Sequence, residues 1–131
     1  MTRLGPVWRK LVRSFERALA GVWHAVQTQQ NMRIHLGVAV SVAALGIYLK
    51  LDFIQLAVLG LTIGFVLVAE MFNTVAEAAM DAATPYYHPL VRVAKDVAAG
   101  AVLITSIVSV VVGLLILGPP LLAQVGIWFG W

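Results

Sequence analysis

Three long apolar stretches without any charged side chain decide what this 131-residue chain can fold into. They comprise residues 34–49, 53–69 and 97–117. A helix crosses the bilayer core with about 17–25 residues, so the third stretch suffices alone and the first two need flanking turns. Only 11% of the residues are charged, against about a quarter in soluble domains, which argues against a water-soluble globule. We therefore predict one all-α, integral membrane domain.

The basic residues around these stretches predict the orientation of the chain. Six of them precede the first stretch, two lie between the second and third, and only Lys50 falls on the opposite side. The positive-inside rule then predicts a multi-pass protein of the inner (cytoplasmic) membrane, with its N-terminus in the cytoplasm and its C-terminus outside. The predicted spans are 34–50, 52–81 with a cytoplasmic extension, and 93–118, which we expect to end at Gly118-Pro119-Pro120. An interfacial tail over 119–131 follows, with Trp128, Phe129 and Trp131.

Residues 7–30 show a different pattern, with apolar residues at helical spacing and most charged residues on the opposite face. This pattern predicts an amphipathic helix on the cytoplasmic leaflet. Its basic face has two open interpretations, as an anchor to anionic lipid or as a binding surface for phosphate.

Glu70, Asn73, Glu77 and Asp81 recur at i, i+3, i+7 and i+11, so all four fall within an arc of about 80° on one helix face. Carboxylates at the edge of a span are costly and usually functional. Lys95 opens the third span on the same side of the membrane. Such a group can hold Mg²⁺, deprotonate a lipid hydroxyl and offset phosphate charge.

Other functions remain open from the residues alone. Intramembrane acids also occur in proton or ion pathways, and the chain can equally be a non-catalytic assembly subunit. Gly60 and Gly64 form a GxxxG pattern that is typical of helix packing. The absence of cysteine excludes thiol chemistry, and a net charge of +3 gives no reason to expect a nucleic-acid partner.

Glu70, Asn73, Glu77 and Asp81, here called the acid stripe, belong to a longer motif. This motif resembles the signature of the prokaryotic integral-membrane diacylglycerol kinase and undecaprenol kinase family. The resemblance covers residues 9–117 and includes Ser14-Phe15 and Gly21. Its most specific part is a set of four elements: Asn31-x-Arg33-x-His35, Glu70-x-x-Asn73-Thr74-x-x-Glu77-x-x-x-Asp81, Tyr87-His88-Pro89 and Ala94-Lys95-Asp96-x-Ala98-Ala99-Gly100-Ala101-Val102.

The resemblance implies a homotrimer of three-span subunits that transfers the γ-phosphoryl group of MgATP to a membrane lipid alcohol. It implies that Glu70 is the catalytic base with Asn73 beside it, and that Glu77 and the residue at position 29 hold the metal. The implied ATP contacts are Lys10, Arg17, Gln29, Glu77, Tyr86, Tyr87, His88, Lys95 and Asp96. The implied lipid contacts are Glu70, Asn31, Arg33 and Ala99.

The chain departs from the family at three positions. Gln29 stands where the family usually has a glutamate ligand, Lys10 where arginine is frequent, and Arg17 where tyrosine is frequent. The elements around Arg33, His88 and Ala99 resemble the undecaprenol branch more than the diacylglycerol branch. Undecaprenol is therefore the expected acceptor, and diacylglycerol is the alternative.

Overall fold

The computed structural model describes residues 4–130 and is helical throughout its regular elements. The four helices are α1 (Leu4–Thr28), α2 (Gln30–Tyr48), α3 (Phe53–Ala83) and α4 (Pro89–Phe129). Three of them, α2, α3 and α4, are long and apolar enough to cross a membrane. The predicted all-α fold with three candidate spans is therefore confirmed. Trp131, which we assigned to the interfacial tail, lies outside the described residues.

A short polar turn joins α2 to α3, as the sequence predicted. Lys50 adopts a left-handed conformation with φ of 55°, which reverses the chain directly after α2. The Asp52 carboxylate accepts a hydrogen bond from the Gln55 backbone N–H at 2.8 Å, and the Asp52 N–H donates to Gln55 Oε1 at 3.1 Å. This capping box satisfies two of the free backbone donors at the start of α3. A Cβ atom on Gly46 would lie 3.2 Å from Leu56 Cδ2, so the hairpin packs closely here.

The connection between α3 and α4 is equally short. Pro85 and Pro89 bracket it, and Pro89 occupies the first turn of α4, where its missing N–H costs nothing. The His88 Nδ1 atom accepts a hydrogen bond from the Leu90 backbone N–H at 3.2 Å and so caps α4. Five residues cannot carry the chain across a membrane, so α3 and α4 are antiparallel neighbours. They form the most extensive helix pair in the described chain.

The expectation that α4 ends at Gly118-Pro119-Pro120 is wrong, because α4 continues through both prolines to Phe129. Each proline removes one backbone donor, which leaves the carbonyls of Leu115 and Ile116 without their intrahelical partners. The remaining backbone groups still bond within the helix, the arrangement that an apolar environment demands. The helix also begins earlier than predicted, at Pro89 rather than at residue 93.

The first helix stands apart from the other three. It begins at Leu4, three residues before the predicted start, and ends at Thr28, where Gln29 breaks the helical run. Within the described part of the chain, α1 contacts α2 and α3 sparsely and does not contact α4. Its large apolar side chains, which include Trp8, Phe15 and Leu19, are exposed.

Candidate active site

The buried polar groups of the chain cluster on one face of α3. Glu70 has no exposed surface and Asn73 is 5% exposed. Both Glu70 carboxylate oxygens and the Asn73 Oδ1 atom lack a hydrogen-bond partner among the described residues. A buried polar group without a partner costs about 1–3 kcal/mol, so such a cluster signals a binding or catalytic role.

Glu77 lies two helical turns beyond Glu70 and is held by two amide side chains. Asn73 Nδ2 donates to Glu77 Oε1 at 3.2 Å, and Gln29 Nε2 donates to Glu77 Oε2 at 3.4 Å. Gln29 is free to do so because its extended backbone starts α2 without a side-chain cap. The structure thus brings Gln29 and Glu77 together across 48 positions of sequence.

Lys95 and Asp81 form an ion pair between α4 and α3. Asp81 lies one turn after Glu77, so the Lys95 ammonium group stands beside the Glu77 end of the acid stripe. The sequence pattern predicts that Asp81 completes this face of α3 but implies no role for it, and its pairing with Lys95 follows only from the structure. The Lys95 ammonium group and the carboxylates of Glu77 and Asp81 therefore lie near the same end of α3, the end that carries Ala83.

The remaining residues of the α3–α4 connection lie at its surface. Tyr86 and Tyr87 are 82% and 77% exposed, and His88 caps α4 through one ring nitrogen. Asp96 forms an exposed pair with Arg92 at 4.0 Å, a contact of little energetic weight. These side chains flank the Lys95–Asp81 pair and are accessible to a ligand.

Two of the expected ATP contacts are not brought to this cluster. Arg17 and Lys10 precede Gln29 on the continuous helix α1 by 12 and 19 residues. At about 1.5 Å per residue they lie roughly 18 and 28 Å along the axis from the residue that meets Glu77. Within one subunit they therefore stay apart from Glu77 and Lys95.

Among the expected lipid contacts, one side chain makes a hydrogen bond within the protein, whereas others are exposed. Arg33 Nη1 donates to the Gln27 backbone carbonyl at 3.3 Å, which satisfies a free acceptor at the end of α1. Asn31 and Ala99 are exposed. The imidazole of His35, which had no assigned role, lies within electrostatic range of the Glu70 carboxyl.

An apolar cavity of about 340 Å³ lies between α2, α3 and α4. His35, Thr62 and Ser109 are the polar residues that line it, and the rest of the lining is aliphatic or glycine. A conducting pathway needs polar groups along its whole depth, so this lining argues against an ion pathway through the subunit.

The donor atoms around Glu77 fit a hard divalent cation. No group of three or more His, Asp or Glu side chains with the geometry of a metal site occurs within residues 4–130. The available ligands are the Glu77 carboxylate, the Gln29 amide oxygen after rotation of the amide, and the unpartnered Asn73 Oδ1 atom. Mg²⁺ is commonly bound by one or two carboxylates together with substrate phosphates and water, and this set meets that requirement.

The comparisons with known proteins agree on one family. Residues 16–117 match the sequence profile of prokaryotic diacylglycerol kinase. A diacylglycerol kinase of Synechocystis sp. (strain ATCC 27184 / PCC 6803 / Kazusa) is 45% identical over 114 residues, which are 86% of this chain and 65% of that protein. Undecaprenol kinase of Bacillus subtilis (strain 168) is 36% identical over 112 residues, which are 86% of this chain and 91% of that protein. The chain thus spans just under two thirds of the length of the Synechocystis relative.

Proposed function

The chain belongs to the prokaryotic diacylglycerol kinase family, and we propose that it transfers the γ-phosphoryl group of ATP to a membrane lipid alcohol, most favourably undecaprenol. The observation that carries this proposal is the depth order of the acids on α3. Glu70 is fully buried, whereas Glu77 and Asp81 follow about 10 Å and 16 Å further along the helix towards its polar end. A lipid hydroxyl at the membrane boundary and a nucleotide from the cytoplasm would meet between these levels.

In this mechanism Glu70 is the general base. Its carboxylate accepts the proton of the lipid hydroxyl, and the freed oxygen forms a bond to the γ-phosphorus as the bond between that phosphorus and the β–γ bridging oxygen breaks. The products are the lipid phosphate and ADP, and the proton stays on Glu70 until it is released to water. Burial excludes water from the base, which reduces transfer of the phosphoryl group to water instead of lipid.

Gln29, Asn73 and Glu77 would hold the Mg²⁺ ion that accompanies ATP, and a bound Mg²⁺ neutralises phosphate charge during transfer. Lys95 lies one turn away and would contact the phosphates, with Asp81 orienting its ammonium group. Tyr86, Tyr87, His88 and Asp96 flank the same end of the site and would contact the nucleotide.

We further propose that the functional unit is a homotrimer in which neighbouring subunits complete each site. Lys10 and Arg17 do not reach Glu77 within one subunit, so a neighbour's α1 would supply them. The groove formed by Ala57, Gly60 and Gly64 on α3 has no partner within the described residues, and small residues of this kind admit another helix. Three helices are also too few to enclose a polar site alone.

The proposed orientation follows from the basic residues. The end of the bundle that carries Lys95 and the Glu77 cluster faces the cytoplasm, and the Lys50–Asp52 turn faces outwards. Helix α1 lies on the cytoplasmic leaflet, where its exposed apolar residues contact lipid and its basic residues face water and phosphate.

The acceptor is tested by a direct competition in vesicles. Purified protein receives γ-labelled ATP with undecaprenol and diacylglycerol at equal mole fraction, and the labelled lipids are separated. We expect the label mainly in undecaprenyl phosphate, because the elements around Arg33, His88 and Ala99 resemble that branch. The greater identity to the Synechocystis diacylglycerol kinase favours the second candidate, and label mainly in phosphatidic acid would establish it.

Gln29→Glu is expected to lower the Mg²⁺ concentration needed for half-maximal activity. The substitution replaces the amide that now donates to Glu77 by a second carboxylate, which attracts the cation. The expected change is about tenfold, or 1–2 kcal/mol, as for a charge-assisted contact. A Mg²⁺ titration at saturating ATP measures it, with the lipid KM nearly unchanged. Superimposable titrations for the two proteins would show that position 29 is not a metal ligand.

A further inference from the structure

The face of α3 that carries the acid stripe continues towards the Lys50–Asp52 turn as an apolar face. Leu59, Ile63 and Val66 line the cavity between α2, α3 and α4. Glu70 follows Val66 by four residues, at the same helical spacing, and so lies on the same side of the helix. The cavity and the candidate active site therefore follow one another along a single face of α3.

The cavity is long and narrow. Along α2 its lining runs from His35 to Leu45, which is about 15 Å of helix. A volume of about 340 Å³ over that length is about 5 Å wide, and packed carbon atoms stand about 4 Å apart, so the cavity admits one hydrocarbon chain but not two side by side. Gly113 of α4 lines it, and a Cβ atom there would meet nothing within 4 Å. A larger side chain at position 113 would therefore occupy the cavity.

The helices leave one side of the cavity open. Helix α3 packs against both α2 and α4, whereas α2 and α4 make few contacts with each other in the described chain. Near the Lys50–Asp52 turn the helices close up, because a Cβ atom on Gly46 would lie 3.2 Å from Leu56 Cδ2. A hydrocarbon chain that is already in the bilayer can therefore enter sideways, between α2 and α4.

The end of the cavity nearer Glu70 is polar. His35 lines the cavity and lies within electrostatic range of the Glu70 carboxyl, whose oxygens have no partner among the described residues. The Thr62 and Ser109 hydroxyls bond to carbonyls of their own helices. Because a bilayer is as apolar as the cavity, apolarity alone selects no occupant. A lipid alcohol supplies the donor that the carboxylate lacks, whereas the phosphate of a bulk phospholipid would be repelled by it.

We propose that the cavity holds the hydrocarbon chain of the acceptor alcohol, with the hydroxyl between His35 and Glu70 and the chain directed past Gly113. This inference rests on the proposed function, because it names how the acceptor of that reaction is bound. The single chain of undecaprenol fits the cavity, and the part that extends beyond it returns to the bilayer between α2 and α4. A diacylglycerol would leave its second chain outside. A chain held in this way fixes the hydroxyl at the base, which favours transfer by orientation.

Photo-crosslinking without ATP identifies the occupant independently of phosphoryl transfer. The full chain in phosphatidylcholine vesicles receives a polyprenyl alcohol with a diazirine within its first few isoprene units. A parallel sample receives phosphatidylcholine with a diazirine in its acyl chain. We expect the alcohol to label cavity residues such as Val42, Ile63 and Gly113, and the phospholipid to label outward residues such as Leu115. Labelling of the cavity by both probes, or labelling of outward residues alone by the alcohol, would overturn the proposal.

Gly113→Leu tests the direction of the chain. Gly113 lies 24 residues after the start of α4 and Leu59 lies 24 residues before the end of α3, so in this antiparallel pair they stand level, about 16 Å along the axis from Glu70. Geranylgeraniol is long enough to reach the added side chain, whereas geraniol is not. The ratio of kcat/KM for geranylgeraniol to that for geraniol is therefore expected to fall about tenfold, the scale of an overpacked site.

Gly37→Leu is the matched control, because Gly37 is exposed on the far side of α2 and a Cβ atom there meets nothing within 4 Å. It should leave the ratio unchanged, once helix content and oligomeric state have been verified for both variants. An unchanged ratio in a folded Gly113→Leu protein would contradict a chain that passes Gly113. Failure of the wild type to phosphorylate either alcohol would count against the proposed function, and the crosslinking then decides the occupant by itself.

Discussion

Glu70→Gln is expected to lower the turnover number for lipid phosphorylation by about 10²- to 10⁴-fold, the usual contribution of a general base. Glutamine has nearly the same shape as glutamate, but its side-chain amide is not a base near neutral pH. Because Glu70 is fully buried and its oxygens have no partner, the amide removes no hydrogen bond made within the described chain. The protein should therefore insert and assemble normally, with a KM for ATP close to that of the wild type.

The matched control is Glu16→Gln, which removes an exposed carboxylate of α1 that the mechanism does not use. Both variants are compared by initial rates in vesicles, after their helix content and oligomeric state have been verified. Wild-type turnover in Glu70→Gln would make Glu70 a structural residue and require a base elsewhere.

The second prediction is that mixed oligomers of two weakly active variants, Lys10→Met and Glu77→Gln, are more active than oligomers of either variant alone. Lys10→Met removes a proposed phosphate contact on α1 and is expected to cost about 10- to 100-fold, as for a hydrogen bond to a charged group. Glu77→Gln removes the carboxylate of the proposed metal site on α3. If a neighbour's α1 completes each site, random mixing leaves about a quarter of the sites with both wild-type residues in a closed symmetric oligomer.

A second mixture controls for nonspecific recovery. Glu70 and Glu77 lie on the same face of one helix, and Asn73 between them donates a hydrogen bond to Glu77, so we expect one subunit to supply both acids to a site. Mixed oligomers of Glu70→Gln and Glu77→Gln should stay inactive. Tagged subunits verify mixing in both cases, and failure of the Lys10→Met and Glu77→Gln mixture to recover would contradict a site shared through α1.

Local sequence spacing predicted those parts of the site that lie on one helix. The i, i+3, i+7 pattern placed Glu70, Asn73 and Glu77 on one face, and the Asn73–Glu77 hydrogen bond follows directly from it. Charge-free stretches likewise predicted the three candidate spans, because the bilayer penalises charge at every position of a span.

Contacts between different helices could not be predicted from the spacing of residues in the sequence. The Gln29–Glu77 hydrogen bond joins α1's end to α3, and only the resemblance to a family suggested that these positions meet. The hydrogen bond of Arg33 to the Gln27 carbonyl could not be predicted from spacing either, because it depends on where α1 ends.

The Pro119-Pro120 pair predicts a helix end but does not end α4, and the difference has a physical reason. In water a Pro-Pro pair usually ends a helix, because the freed carbonyls bond to solvent and a turn costs little. Residues 97–131 carry no charge, however, and α4 keeps its remaining backbone bonds through Pro119 and Pro120. Proline is a weaker stop signal where the environment is apolar.

The transfer of label from ATP to lipid tests the central claim most directly. Purified protein in vesicles that contain undecaprenol is incubated with γ-labelled ATP and Mg²⁺, and label is counted in the extracted lipid and in inorganic phosphate. The account predicts one labelled lipid phosphate for each ADP formed, and loss of that signal in Glu70→Gln. ADP formed with label only in inorganic phosphate, or no turnover with any lipid alcohol, would contradict a lipid kinase.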